Sequence, residues 1–384
     1  MLRLSRLVPL LLVPLFAVNE AGANAAAEEI GCSGELATIV GTPGDDTMVG
    51  TEGDDVVWLD AGDDVFHGRG GNDHVCGGPG ADQLFGEDGR DWLEDAGTNE
   101  VIIVVQRDLA AAPRAEGDDA GDVLDGGPGN DMVVLTQGDD SALGGDGDDL
   151  LSFRGQGSVA VDAVAGVAEG DGSDTFSGFE SYSLRGSFVG SERAESVSAH
   201  GVADLTLGGG ADSAYVSNAE EAVVDGGAGA DRITMDRGQA NGGSGRDQIS
   251  VRYLATVHAG PGNDFVSVPK PRAHELHGGS GRDRLSMRVH HPMVVDLRER
   301  TVRYTVAGVQ ASVAGFEAVV AGEGDDVVRG TGRDERLQGY TGDDRLLGGG
   351  GADRLIGGPG DRDRADGGAG RDRCKAERTL RCEE

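Results

Sequence analysis

The residues of this chain that could do chemistry are carboxylates recurring at a fixed interval. Asp46, Asp55, Asp64, Asp73, Asp82 and Asp91 stand nine residues apart. A glycine precedes each by two positions (Gly44, Gly53, Gly62, Gly71, Gly80, Gly89), and an apolar residue follows each by two (Met48, Val57, Phe66, Val75, Leu84, Leu93). The beat returns at Asp122, Asp131, Asp140 and Asp149, then thins to Asp231, Asp247, Asp264 and Asp283, sixteen to nineteen residues apart. It resumes with Asp326, Asp344, Asp353 and Asp372, while Glu335 stands in once and Asp363 is displaced by a one-residue insertion. Carboxylates beside turn carbonyls make an all-oxygen donor set, the kind a hard dication such as calcium prefers.

The same spacing dictates the elements that must hold those groups. Glycines permit left-handed backbone angles that cost other residues about 1–2 kcal/mol, so the first six residues of each unit read as a tight turn. The last three read as a short strand whose middle side chain points inward. Two units then form one coil, and coils stacked about 4.8 Å apart give two parallel sheets back to back. The predicted fold is all-β, a parallel β-roll or β-solenoid built from glycine-rich nonapeptides. Aspartates one coil apart lie above one another, where like charges repel by ~1–3 kcal/mol at effective dielectric constants near 20 to 80. A dication between the turns reverses that sign. No 3.6-residue periodicity follows the N-terminal segment, so no helix is expected.

Composition sets the outer bounds. The chain has 384 residues, 68 of them glycine, only 4% aromatic residues and a formal net charge of −35, which argues against a conventional thick core. Such acidity also argues against nucleic acid or anionic membrane as partners and for cations. A disordered acidic chain could share this composition, but disorder requires neither a fixed apolar beat nor sustained register.

At the N-terminus, Arg3 and Arg6, an apolar run from Leu7 to Val18 and Ala23-Asn24-Ala25 predict a cleaved export signal over 1–25 and a secreted, extracellular product. The apolar run is short for a bilayer, and no later segment is long enough to insert in a membrane. The four cysteines, Cys32, Cys76, Cys374 and Cys382, then suggest disulfides. Proximity favours Cys374 with Cys382, leaving Cys32 with Cys76; zinc is disfavoured because there is no C-x-x-C pair.

The chain divides into a lead-in (26–40), a first array (41–95), an insertion with a strand-like VIIVV (96–120) and a second array (121–153). A degenerate solenoid follows (154–321), as if every second unit had lost its glycines, then a C-terminal array (322–375) and a cysteine-bearing tail (376–384). Two similar stretches, starting at Val159 and Met293 and each reaching a Gly-Phe-Glu, read as β-rich spacers that prolong the stack. The additional acids Asp45, Asp54, Asp63, Asp325 and Asp343 read as solvent-facing charge.

The units GGAGADRIT, GGSGRDQIS and GGGGADRLI, with GRGGNDHVC close behind, resemble the RTX or haemolysin-type calcium-binding nonapeptide G-G-x-G-x-D-x-U-x. The resemblance covers 41–153 and 322–375, and 205–290 more loosely. It implies a parallel β-roll binding several Ca²⁺ ions between consecutive turns. The aspartates named above, Asp363 included, would supply side chains, and glycines such as Gly44, Gly53, Gly62, Gly71 and Gly80 would supply turn carbonyls. Many family members carry such repeats as a C-terminal tail and leave the cell by a one-step exporter. This chain, with its N-terminal signal and cysteine tail, is more similar to stand-alone exported bacterial repeat proteins.

The expected function is a secreted, monomeric calcium-binding protein that folds on binding Ca²⁺ and has a structural, adhesive or interaction role. The alternative is a secreted hydrolase with catalytic residues in 154–321. Against it, His274 to His277 (HELH) place the histidines three apart instead of four and read as a surface loop. Ser244 and Ser280 lack a nucleophile elbow. No enzyme is expected.

Overall fold

The structure, a computed structural model, describes residues 31–95 and 120–383, apart from residues 33, 155–156 and 306–307. The export signal, the part of the lead-in before Gly31 and all but the last residue of the 96–120 insertion lie outside the described residues. The described chain has no helix and forms a parallel β-solenoid of about 17 turns.

Each regular coil supplies one strand to each of two sheets. Thr47–Val49 pairs in parallel with Val65–His67, which pairs with Gln83–Phe85, which pairs with Val123–Pro128. Their partners across the coil, Val56–Trp58, His74–Cys76, Trp92–Glu94 and Met132–Leu135, stack in the same way. We call these the first and second sheets, and the turns that lead into them the first and second edges. The insertion leaves register intact, because Gln83 pairs directly with Val123 across it.

The core is one side chain thick. In the second sheet Val57, Val75, Leu93, Val133 and Leu151 lie one above another, all fully buried. Phe66, Leu84, Leu124 and Ala142 do the same in the first. Burying one such aliphatic or aromatic residue contributes about 1.5–3 kcal/mol per strand, and each coil has two strands. That is a small sum against the entropy of ordering so many glycines.

The two spacers are not simple continuations of the stack. Val159–Asp162 runs antiparallel to Val167–Glu169, which runs antiparallel to Ser173–Ser177. Met293–Asp296, Thr301–Tyr304 and Gln310–Ala314 repeat the arrangement. Asx-type turns drive the reversals: Asp162 Oδ1 accepts the N–H groups of Val164 and Ala165, and Asp296 Oδ1 accepts that of Glu299. Both meanders lie in the first sheet, while the second passes directly from Leu150–Phe153 to Ser181–Val189 and from Arg284–Ser286 to Ala318–Val320. Each spacer therefore thickens one sheet only.

Disulfides join Cys32 to Cys76 and Cys374 to Cys382. The second ties the tail to the last coil, where Arg378–Leu380 pairs in parallel with Arg364–Ala369.

Candidate metal centre

Most turn carboxylates use one oxygen to hold the coil before them. On the second edge, Asp73 Oδ1 accepts the backbone N–H of Asp55 at 2.9 Å, Asp91 that of Asp73 at 2.8 Å, Asp131 that of Asp91 at 2.7 Å and Asp149 that of Asp131 at 2.8 Å. The column continues through Glu180, Glu195, Asp212, Asp231, Asp247, Asp264, Asp283, Glu317, Glu335 and Asp353 to Asp372. The first edge carries Asp46, Asp64, Asp82, Asp122, Asp140 and Asp174. It loses this column through the middle of the chain, where the half-buried Asp236 still accepts the N–H of Asn218, and regains it at Asp326, Asp344, Asp363 and Glu377.

The other oxygen is the chemically informative one. Oδ2 of Asp64, Asp73, Asp91, Asp131, Asp149, Asp212, Asp231, Asp247, Asp264, Asp283, Asp344, Asp353, Asp363 and Asp372 is buried and accepts no hydrogen bond. Leaving a buried acceptor unsatisfied costs about 1–3 kcal/mol, and more for a charged one. Burial pushes the carboxyl of Asp73 up to about 6, those of Asp91 and Asp344 up to about 7 and that of Asp122 up to about 9. The amide bond from the preceding coil opposes this rise, and neighbouring carboxylates add to it.

Carbonyl oxygens complete the donor set. A Cβ added at Gly245 would overlap the carbonyl oxygen of Gly229 one coil below, and one at Gly80 would overlap that of Gly62. Only a hydrogen fits there, so successive turn backbones approach closely, at positive φ of 140° and 141°. The first glycine of the turn makes room differently, since a Cβ at Gly86 would meet Asp91 Oδ2. The donors are thus all hard oxygens, buried and short of partners, which fits calcium.

Not every turn is open in this way. Asp46 Oδ2 accepts the N–H and hydroxyl of Thr42, Asp55 Oδ2 the N–H of Thr51 at 2.6 Å, and Asp326 Oδ2 the N–H of Gly322 at 2.9 Å. Glu195 and Glu335 are engaged by Ser191 and Thr331 in the same fashion. The residue four positions before the acid, a threonine or serine in four of these five turns and Gly322 in the other, closes the turn on its own carboxylate. Gly44 and Gly53 belong to these closed turns, where their carbonyls accept the hydroxyls of Thr42 and Thr51. Gly62 and Gly71 lie in open turns, their carbonyls facing Gly80 and Gly89.

Several functional positions escaped the nine-residue reading. Asp212 was hidden because the apolar residue after it is only Ala214, and Asp174 because the meander moves it out of period. Glu180, Glu317 and Glu377 cap the column where a coil follows irregularly. Asp95 occupies the place usually held by a turn's first glycine, and its oxygens lie within 4.8 Å of those of Asp122 and Asp140. No periodic signal points to it. Cys32, His74 and Cys76 also converge, but the two sulfurs are bonded to each other.

Of two surface readings, one gains a structural part and the other needs correction. Asp45, Asp54 and Asp63 are exposed, yet each Oδ1 accepts an N–H from the next coil (Asp63, Asn72 and Ala81, at 3.1, 2.7 and 3.0 Å). Asp325 and Asp343 do the same. The spacing that stacks the inner carboxylates stacks these outer ones too. The HELH segment is not a loop: Glu275–Gly281 is a strand and His274 is buried, 2% exposed. His277 pairs with Glu275 and stacks on His258.

No curated protein matches the chain. The family model of the RTX calcium-binding nonapeptide repeat matches in four copies, at residues 40–75, 77–102, 116–151 and 329–362. These are the stretches where both edges carry the glycine turn, and the chain is accordingly a bearer of RTX calcium-binding nonapeptide repeats arranged as a β-solenoid.

Proposed function

We propose that the protein is an exported, non-enzymatic module that completes its fold on binding several calcium ions and then serves a structural, adhesive or interaction role. The observation that carries this reading is the series of buried Oδ2 atoms lacking hydrogen-bond partners on both edges. The residues that would hold the ions are the open-turn aspartates, including Asp64, Asp73, Asp91, Asp131, Asp149, Asp231, Asp247, Asp264, Asp283, Asp344, Asp353, Asp363 and Asp372, with turn carbonyls such as Gly62 and Gly71. Asp82, Asp122 and Asp140 belong to the same set by position.

Bound calcium supplies positive charge between like-charged turns. The chain's own part is to deliver oxygens without intervening side chains and to keep water from them. The disulfides and an N-terminal export signal support a destination outside the cell, where calcium is abundant. Extracellular calcium modules bind at about 10⁻⁴–10⁻³ M. At a free concentration ~10-fold above Kd, each site stabilises the fold by ~1.4 kcal/mol through linkage.

Titration calorimetry on the chelator-stripped chain, with circular dichroism alongside, tests the proposal. Saturable uptake of several ions with a gain of β signal is expected. Absence of uptake, or a β spectrum indifferent to chelator, would refute it.

A further inference from the structure

The outward surface of the second sheet has a chemistry that calcium binding does not use. The residue after each second-edge acid faces out, and strand register aligns these residues into a row. Arg232 pairs with Gln248, Gln248 with Phe265, and Phe265 with Arg284. Arg284 then pairs with Ala318, Ala318 with Arg336, Arg336 with Arg354, and Arg354 with Arg373. All five arginines are exposed. The eight strands of this row contain no aspartate or glutamate, in a chain with 68 acidic residues.

Like charges directly opposite on neighbouring strands are destabilising. Arg336, Arg354 and Arg373 stand in consecutive strands, about 4.8 Å apart. Among the described residues, the arginine ion pairs of the C-terminal coils run through Arg329, Arg333, Arg362, Arg371 and Arg381 instead. At the other end of the row, Arg232, Arg246, Arg282 and Arg284 rim a depression of about 520 Å³ floored by the buried carboxylates Asp231, Asp247 and Asp264. The opposite sheet is less suited. Its stack of Arg345, Arg364 and Arg378 also has three arginines, but Asp366 lies in the same strand as Arg364 and pairs with Arg381, placing an acid beside the stack.

We propose that this arginine row binds a linear anionic polysaccharide carrying about one carboxylate or sulfate per sugar. One strand spacing matches the advance of an extended sugar chain per residue, so successive guanidinium groups can each grip successive anions through paired N–H donors. Beside the arginines run hydroxyls and amides such as Ser250, Ser267 and Gln338, which suit sugar hydroxyls. The row has no stacking platform for nucleobases, because its single aromatic, Phe265, has the Arg284 guanidinium over its ring at 5.5 Å.

The test is binding of the full chain, in calcium, to immobilised chondroitin sulfate, which carries one anionic group per sugar. Hyaluronan (one per two sugars), neutral dextran and single-stranded poly(dT) are the competitors. Chondroitin sulfate should bind, hyaluronan about tenfold more weakly, and dextran and poly(dT) more weakly still. The triple variant Arg336→Gln/Arg354→Gln/Arg373→Gln should lose about tenfold or more, and its Arg→Lys counterpart should lose less. The charge-matched triple Arg345→Gln/Arg364→Gln/Arg378→Gln on the other sheet should bind like the parent. Equal losses in both Gln triples, equal binding of poly(dT), or no binding to chondroitin sulfate would overturn the proposal. The calcium count of each variant is measured in parallel, so failure here is distinct from failure of the calcium reading.

Discussion

Between about residues 210 and 290 the two edges of one stack solve the same problem in opposite ways. The second edge keeps the carboxylate column, with Asp212, Asp231, Asp247, Asp264 and Asp283 each bearing a buried oxygen without a hydrogen-bond partner. The first edge has none. Val216, Met235, Val251 and Val268 close it from inside, and outside Arg237 and Lys270 sit over the Tyr253 ring at 5.3 and 4.2 Å. Asp236 pairs with Arg252 at 3.7 Å there. Apolar burial and exposed cation–π contacts seal the first edge with no orphaned aspartate oxygen, whereas the second edge carries one at each of these coils. Under the calcium proposal only the second edge would depend on the ion here. The coil accepts either seal, because what it requires is only a turn narrow enough to repeat at the strand spacing.

Removing calcium should break this symmetry most visibly. In chelator, hydrogen exchange followed by mass spectrometry should show amides of 41–95, 121–153 and 322–375 losing protection by orders of magnitude, since both edges depend on the ion there. Within 210–290, the second-edge turns should open before the first-edge turns. Equal loss at the two edges would erase the distinction.

Next in size is a single methyl group. Gly245→Ala drives a Cβ into the Gly229 carbonyl at positive φ and should cost about 3 kcal/mol in calcium. Leu254→Ala on the other edge, where the side chain is 51% exposed, should cost less than about 0.5 kcal/mol. Urea unfolding of both variants compares them directly.

Acid should substitute in part for calcium at the carboxylate edges. Burial raises Asp73 to about 6 and Asp91 and Asp344 to about 7, above the 3.8 of an exposed aspartate. The folded chain therefore holds more protons than the unfolded one in that window. Calcium-free stability should be fully present below about pH 4 and be lost as pH rises through 6 to 7. Melting temperatures in chelator across this range measure it; a value that climbs with pH would contradict the burial argument.

The smallest effect tests the closed turns. Thr51→Gly removes the hydroxyl that bridges to Gly53 in the Asp55 turn. It also frees position 51 to take the positive φ that Gly78 and Gly127 have in the open turns, which would withdraw its N–H from Asp55. One additional calcium should appear by calorimetry, at a cost of about 1 kcal/mol in the calcium-free chain. An unchanged count would mean that the threonine does not decide occupancy.

Much of the arrays was legible because period and chemistry coincide in them. Asp64 and Asp73 lie where a nine-residue beat puts them, each with its glycine turn and inward Phe66 or Val75. The meanders were not legible as meanders. Their alternating residues fit parallel and antiparallel strands equally, and what reverses the chain is local turns, the first of each meander built on Asp162 and Asp296. Asp95, Asp174 and Asp212 were passed over because a periodic reading cannot find a residue that has left the period or lost its apolar marker.

By itself the sequence determined the repeat: glycine for the turn, acid beside it, one apolar residue to bury, and hence a coil that must stack. Those are local choices of backbone angle and side-chain polarity. The tertiary structure alone decided which carboxylate oxygens remain unsatisfied, because that depends on whether the N–H or hydroxyl of the residue four positions earlier turns back onto them. It also decided that Arg284, Arg336, Arg354 and Arg373 share one row, across sequence gaps that follow no single period. Strand register aligns residues by hydrogen bonding between coils, whatever length of chain lies between them.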